Sequence, residues 1–492
     1  MPVRFEMDKR SRKSRHSIRS ASLILAFAAS TAPLRAQEAP QPQPALPQSS
    51  APATQQEPSA PSSGAQVQTG SVIGEGNLLL RVMNLLGDHR YPEMERLLNQ
   101  PAEEGSSNLS SDQKQELRGV LANRENKSAE SLRLLEPAVA RLDAAGPSAT
   151  SAEEEKLVRR ALAEDYLRLG NWSKAAQAYQ NYVTRTGGNL TADERDEIEL
   201  PLKLLPLVAT HPQMTVEAGE PFSLPYDRDE LGLSDIPVFV DAQSHDWMLD
   251  PTAPFNLICR SSAREIGLRL SEETATVHTI TGHPMQVHAT IIPRFTIGTV
   301  TFRNMTAFVF DDADYFFPAS GYQVRGVLGF PAVSALGRLT ITANARIEVQ
   351  PGDKGERLTD GARFFLDGDQ TVVALGKPGD ERIFVVDAGG QQTFLTSRYY
   401  AEHSDDFANK KAQLLALPGS QNKPPAAAYV ADAVNLLAGS TPMTFHYMQV
   451  LTQPAGNAAI DDNYGTLGLD ALDELKSFTF DYRTMRFAVT AH

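Results

Sequence analysis

An apolar run that ends on a carboxylate and then turns sharply occurs twice in this sequence. Its spacing constrains the fold more than any other feature. At Arg382–Gly390 the chain reads R-I-F-V-V-D-A-G-G, so Ile383–Val386 runs into Asp387. At Trp247–Ala253 it reads W-M-L-D-P-T-A, and a shorter run meets Asp250. A buried strand that delivers an ionisable group to the edge of a core sets that group's pKa through desolvation and neighbouring charge. The surroundings repeat as well. Gly329 lies 329 − 250 = 79 residues after Asp250, and Gly468 lies 468 − 387 = 81 after Asp387. Each glycine opens a short helix, G-F-P-A-V-S-A-L or G-L-D-A-L-D-E-L. Two strands follow each helix: Leu339–Thr342 with Arg346–Val349, and Phe478–Phe480 with Arg486–Val489. Turn, spacing, glycine, helix and closing pair agree together, which predicts an internal duplication in which Asp250 and Asp387 meet.

The chain ahead of this repeat is of another kind. Residues 1–36 carry a long basic start, a short apolar run at Ala21–Ala32 and the small residue Ala36, the pattern of an export signal. The run is too short to span a bilayer as a stable helix. Residues 37–72 are Pro, Gln, Ala and Ser with few large apolar side chains, and read as a disordered tether. Residues 75–210 turn helical, with capping boxes at Ser110/Gln113, Ser151/Glu154 and Thr191/Glu194. Within Leu157–Arg185, the residues Ala163, Tyr166, Gly170, Trp172, Ala175 and Tyr179 fall where a tetratricopeptide helix pair places small and aromatic side chains. This resembles a short tetratricopeptide-like array; a generic helical bundle is the alternative. Either would bind a protein partner or pack on the next domain.

From about residue 221 the texture changes to short alternating runs, predicting one β lobe over 222–350, a polar link over 351–368 and a second lobe over 369–492. Thr281-Gly282-His283-Pro284 reads as a hairpin tip between Val277–Ile280 and Met285–His288. The fold class is therefore multidomain α and β: a helical part, then a duplicated all-β part.

Charge narrows the partners. The total is 46 − 60 = −14, and the first 36 residues hold 8 basic and 2 acidic side chains, so the remainder carries (46 − 8) − (60 − 2) = −20. So acidic a body repels nucleic acid and anionic membranes. The single cysteine, Cys259, allows no intrachain disulfide and no Cys-rich zinc site. His278, His283 and His288 fit no metal spacing, and no cofactor motif is present.

Duplicated β lobes of this size, each with a strand-Asp-turn and a later apolar-apolar-Gly, resemble the retropepsin-like aspartyl proteases of bacteria that carry both lobes in one chain. The resemblance covers about residues 222–492. It implies that Asp250 and Asp387 form a catalytic dyad acting on a peptide or protein substrate, without metal or cofactor. It implies that Val327-Leu328-Gly329 and Thr466-Leu467-Gly468 thread beneath the two turns, and that Thr281, Gly282 and His283 form a flap over substrate. Thr252, Gly389, Gly390, Gly329 and Gly468 would support the turns. The chain departs from the family's D-T/S-G: Pro251 and Ala388 stand at the hydroxyl position, and Thr252 at the first glycine. Two functions follow: an exported, periplasmic or secreted aspartic endopeptidase, or a non-catalytic relative that binds peptide or serves as a scaffold.

Overall fold

The structure, a computed structural model, describes residues 78–100, 109–145, 152–229, 232–278, 284–318, 321–352, 355–368, 370–388, 392–415, 425–455 and 458–491. The signal-like start, the tether, Ser151, the tip Thr281–His283 and the pair Gly389 and Gly390 lie outside the described residues.

The first part is helical: α1 (Leu78–Gly87), α2 (Tyr91–Asn99), α3 (Ser111–Arg124), α4 (Ser128–Ala145), α5 (Ala152–Arg168), α6 (Trp172–Thr186) and α7 (Ala192–Val208). Local chemistry starts two of them. The Ser110 hydroxyl accepts from the Gln113 N–H at 3.1 Å while Gln113 accepts from the Ser110 N–H at 3.0 Å, and Thr191 and Glu194 do the same at 3.2 and 2.7 Å. Gly170 turns α5 into α6 at φ +66°, a left-handed conformation that glycine adopts without penalty. Ala163, Tyr166, Trp172, Ala175 and Tyr179 are all buried around that joint. At Gly119 a Cβ would lie 2.3 Å from Leu135, so the missing side chain is what lets α3 approach α4. No helix among the described residues is long and apolar enough to cross a membrane.

Lobe 1 follows: β1 (Thr215–Glu217), β2 (Phe222–Pro225), β3 (Asp227–Arg228), β4 (Ser234–Val240), β5 (Gln243–Leu249), β6 (Leu257–Cys259), α8 (Arg260–Glu265), β7 (Ala275–His278), β8 (Pro284–Ile297), β9 (Val300–Phe310), β10 (Phe316–Phe317), β11 (Tyr322–Gln323), β12 (Gly326–Leu328), α9 (Phe330–Ala335), β13 (Arg338–Thr342) and β14 (Arg346–Gln350). Lobe 2 comprises β15 (Ala362–Asp367), β16 (Gln370–Leu375), β17 (Arg382–Val386), β18 (Phe394–Leu395), α10 (Ser397–His403), β19 (Gln413–Leu415), β20 (Ala426–Ala438), β21 (Thr441–Leu451), α11 (Ala458–Asp461), β22 (Gly465–Leu467), α12 (Leu469–Leu472), β23 (Ser477–Asp481) and β24 (Arg486–Thr490). Two boundaries differ from expectation. The segment 351–368 is not wholly a link, because Ala362–Asp367 is strand β15, paired with β16 and β24. Lobe 1 begins before residue 222, because β1 at Thr215–Glu217 pairs with β9.

Lobe 1 forms a sheet in the order β1-β9-β6-β12-β5-β4-β8-β7. Trp247 anchors its core: it is fully buried, packs on Phe295 at 5.0 Å, and would meet a Cβ at Gly326 only 2.4 Å away. The lobes share a continuous stretch of sheet in the order β15-β24-β23-β13-β14-β2. That order reads alike from both ends. At its centre β13 and β23 run antiparallel, with Thr340 opposite Thr479 and their hydroxyls 2.8 Å apart. Each central strand is flanked by its lobe's closing strand, β14 or β24, and then by a strand from that lobe's start, β2 or β15.

Candidate active site

Each aspartate emerges from a strand held on both sides. In lobe 1, β5 runs parallel to β12, with Met248 opposite Val327 and Leu249 opposite Leu328, and antiparallel to β4. The strand's hydrophobic face holds it in the core, and the residue that follows it, Asp250, is 2% exposed. The Asp250 N–H donates to the Leu328 carbonyl at 3.0 Å. In lobe 2, β17 runs parallel to β22, with Val386 opposite Leu467. Asp387 is 1% exposed, and its N–H donates to the Leu467 carbonyl at 2.9 Å.

The glycine beneath each turn has no room for a side chain. A Cβ at Gly329 would lie 2.2 Å from the Phe255 carbonyl oxygen, and one at Gly468 would lie 2.8 Å from the Gln392 backbone. The N–H of each glycine is taken by a buried side chain six residues after the aspartate: Asn256 accepts from Gly329 at 3.1 Å, and Thr393 accepts from Gly468 at 2.8 Å. Asn256 also donates to the Thr306 carbonyl at 3.2 Å, and the Thr393 N–H donates to Asp470 at 3.1 Å. These two residues escaped sequence reading. The signal was present, since 256 − 250 = 393 − 387 = 6, but an Asn and a Thr do not look alike until both accept the same kind of N–H.

The Asp250 turn supplies its own donors. One carboxylate oxygen accepts from the Thr252 N–H at 2.9 Å, the Thr252 hydroxyl at 2.6 Å and the Ala253 N–H at 3.2 Å. Pro251 has no N–H to offer, and the hydroxyl comes from the next residue. Three donors thus converge on one oxygen and fix the orientation of the carboxylate.

Two buried tyrosines feel this charge. Tyr315 follows β9, and Tyr482 follows β23 in the other lobe. Burial first, and the Asp250 charge second, push both phenols up; Tyr315 stands well above the ordinary tyrosine value. Tyr482 packs edge-on against Phe330 at 5.9 Å, and Phe330 is tied to the Asp250 turn through its N–H to the Ala253 carbonyl at 2.8 Å. Lobe 2 therefore reaches the surroundings of Asp250. Cys259 is buried with its sulfur 3.1 Å from the Ser262 hydroxyl, in keeping with a packing role. Of the supporting residues expected from sequence, Thr252, Gly329 and Gly468 are brought to the turns.

Residues 236–332 match the family model described as aspartyl protease. The span runs from β4 to α9 and contains Asp250, Thr252, Asn256 and Gly329. Lobe 1 resembles an aspartyl protease. Among solved structures, a retropepsin-like aspartic protease from Rickettsia conorii is similar at 20% identity over 27% of this chain and 99% of that chain, with a TM-score of 0.21. No curated protein matches the chain. The family match supports a hydrolase of the peptidase kind at a coarse level.

Proposed function

We propose that this protein is an exported aspartic-type endopeptidase whose Asp250 and Asp387 act as a dyad on an extended peptide. The observation that carries this reading is the paired construction of the two turns. Both aspartates directly follow a strand parallel to an apolar-apolar-Gly segment, and both donate their N–H to the carbonyl before that glycine. Both glycines are latched by a side chain six residues on. An offset of 468 − 329 = 139 residues relates the glycines, and the same 479 − 340 = 139 relates the threonines at the centre of the shared sheet. We read these offsets as an internal duplication, which would relate the two carboxylates by one axis.

At close range two carboxylates do not both ionise, so one rises and the other falls in pKa. The ionised partner takes a proton from the water that attacks the peptide carbonyl. The protonated partner donates to the developing oxyanion and then to the leaving amine. Their apparent pKa values belong to the pair. The basic start and apolar run of residues 1–36 support export.

A second reading, a peptide-binding scaffold without catalysis, is favoured by Pro251 and Ala388, which remove the hydroxyl expected at the second turn position on both sides. Digestion of a peptide library between acidic and neutral pH separates the two. Cleavage by the wild type should fall by ~10²–10⁴-fold in Asp250→Asn and in Asp387→Asn. Cleavage that survives both substitutions rules out the dyad, and binding without cleavage by the wild type supports the scaffold.

A further inference from the structure

We propose that the helical region is a two-point latch on this site. It is bolted to lobe 2 at Asp367, and through α7 it holds the β7 and β8 strands of lobe 1 against the Asp250 turn, so that peptide binds when α7 lifts. The proposal concerns regulation of the proposed peptidase site and rests on that reading.

The bolt is ionic. Asp367 lies at the end of β15, and four donors from the helical region converge on its carboxylate. Tyr91 donates to one oxygen at 2.7 Å, and His89 Nε2 stands 3.0 Å from the same oxygen. Arg124 and Arg160 reach the other oxygen at 3.2 and 3.4 Å. Glu164 joins the two guanidiniums at 2.7 and 2.8 Å. Arg124 and Glu164 are buried, so neither charge is relieved by water. Without the lobe 2 carboxylate, Arg124 would keep Glu164, which it shares with Arg160, while Arg160 would still pair with Glu197 at 2.9 Å; stripping a partner from a buried guanidinium is costly. Docking on lobe 2 therefore completes the charge balance of the helical array. Arg363, four residues before Asp367, adds ion pairs to Glu95 and Glu125.

The second attachment is apolar and is made by α7, the last helix of the array. Leu200 and Leu204 of α7 enter a chamber walled by Phe255, which follows the Asp250 turn, by Val277 of β7, by Met285 and Val287 of β8, and by Tyr315. The space left over is about 20 Å³, room for roughly one water. Leu204 is buried and Leu200 half-buried. The strands that border the Asp250 turn are thus packed on a helix from outside the lobe, and they cannot move outward without opening this chamber.

The two attachments differ in strength, which makes one of them the moving part. The Asp367 bolt is a largely buried network drawn from three helices and the turn before α2. The α7 contact with lobe 1 is apolar, with Leu200 and Leu204 at the chamber. Helix α7 is tied to the bolt only by the partly exposed Glu197–Arg160 pair at 2.9 Å and carries Pro201 and Pro206 in its interior. Each proline removes an intrahelical hydrogen bond, so α7 is the softer helix. It lifts first, hinged on a region that stays bolted.

The test compares full-length protein with Leu200→Ser/Leu204→Ser, each in an Asp250→Asn background so that binding is scored without turnover. The probe is a fluorescein-labelled octapeptide of mainly apolar residues, read by anisotropy, with deuterium exchange followed along the chain. If α7 is lifted about a tenth of the time in the wild type, the variant binds about tenfold tighter. Exchange in α7, β7 and β8 should quicken together while β13 and β23 are unchanged. Unchanged or weaker binding with faster exchange in α7 overturns the latch. Should the variant lose its cooperative melt, native-state exchange of the unsubstituted chain decides: α7, β7 and β8 opening as one unit ahead of α3 and α5 upholds the proposal, and separate opening overturns it. Without the Asp250→Asn background, tighter binding and no hydrolysis sinks the peptidase reading alone. Hydrolysis that the leucine substitutions leave unchanged sinks the latch alone.

Discussion

Lobe 1 and lobe 2 present their aspartates with the same backbone and with different side chains. In both, an N–H at the aspartate donates to the carbonyl before a glycine, and the glycine N–H is captured from six residues past the aspartate. Around that shared frame the side chains diverge. Asn256 does in one lobe what Thr393 does in the other. Thr252 donates its hydroxyl to Asp250, whereas Ala388, buried beside Asp387, has none to give. Tyr482 and Ala343 are equivalent by backbone bonds, since their N–H groups donate to Gly337 and Lys476 at the same 139-residue offset. Only Tyr482 brings an aromatic ring and a phenol. The difference teaches that the turn is specified by backbone pairing and by the absence of side chains at Gly329 and Gly468, while the polar supports are interchangeable.

The helical region widens the contrast. It meets lobe 2 through charge at Asp367 and lobe 1 through leucines at the Asp250 turn. The largest effect on stability should come from the charged side. Asp367→Ala leaves Arg124 and Arg160 without their shared carboxylate, and removing one partner of a buried ion pair costs about 3–5 kcal/mol. Urea denaturation followed by tryptophan fluorescence measures it, since Trp172 is in the helices and Trp247 in lobe 1. A loss below about 1 kcal/mol would place the helical docking on its apolar contacts instead.

The latches offer a smaller and sharper comparison. Asn256→Ala takes a partner from the Gly329 N–H and from the Thr306 carbonyl in a buried site, and Thr393→Val takes one from the Gly468 N–H and from the Asp470 carboxylate, to which the Thr393 hydroxyl donates. Leaving a buried polar group unsatisfied costs about 1–3 kcal/mol each. Each substitution removes two bonds, so Asn256→Ala and Thr393→Val should cost about the same in the same denaturation assay. A clearly larger loss in one of them would show that the two latches are not energetically one device.

How much of this was legible in the sequence depends on how local each determinant is. The capping boxes at Ser110 and Thr191 are complete within four residues, so they could be read directly. The aspartate turns were legible because strand, carboxylate and glycine recur at matched spacing. Strand β15 was not, because A-R-F-F-L-D sits in polar surroundings and its identity is fixed by pairing with β16 and β24. Strand β20 carries little local signal, since alanine is a poor strand former; its thirteen residues are held extended by register with β21. Least legible was the Asp367 network, whose Tyr91 partner is 276 residues away. An aspartate before a glycine reads as a turn residue until the helices close over it.

The smallest predicted effect tests the charged attachment by pH. Burial opposes the charge on Asp367, but Arg124, His89 and Arg160 outweigh it and hold the carboxyl well below its ordinary 3.8. Its contribution is complete above 3.8 and fades only as pH falls through the depressed folded value. Burial likewise opposes charge on His89, yet the bond and charge of Asp367, the bond of Asn463 and the charge of Asp462 raise it above its ordinary 6.5. The ring also stacks on Tyr91 at 5.9 Å. A raised histidine contributes fully below 6.5 and loses that contribution as pH rises through the folded value. The attachment is therefore firmest between about pH 4 and 6.5 and loosens on the alkaline side. Other groups slope the same way: burial pushes Asp235 and Glu154 up to about 7, so the folded state binds more protons than the unfolded one between their ordinary values and pH 7. The melting temperature of the wild type alone cannot single out the histidine. The difference between wild type and His89→Gln can, because Asp235 and Glu154 cancel in it while the glutamine amide still donates to Asp367. That difference should favour the wild type at pH 5.5 and shrink steadily to pH 8.5; a difference flat across this range would show that folding leaves the His89 pKa unmoved and that the bolt rests on its arginines.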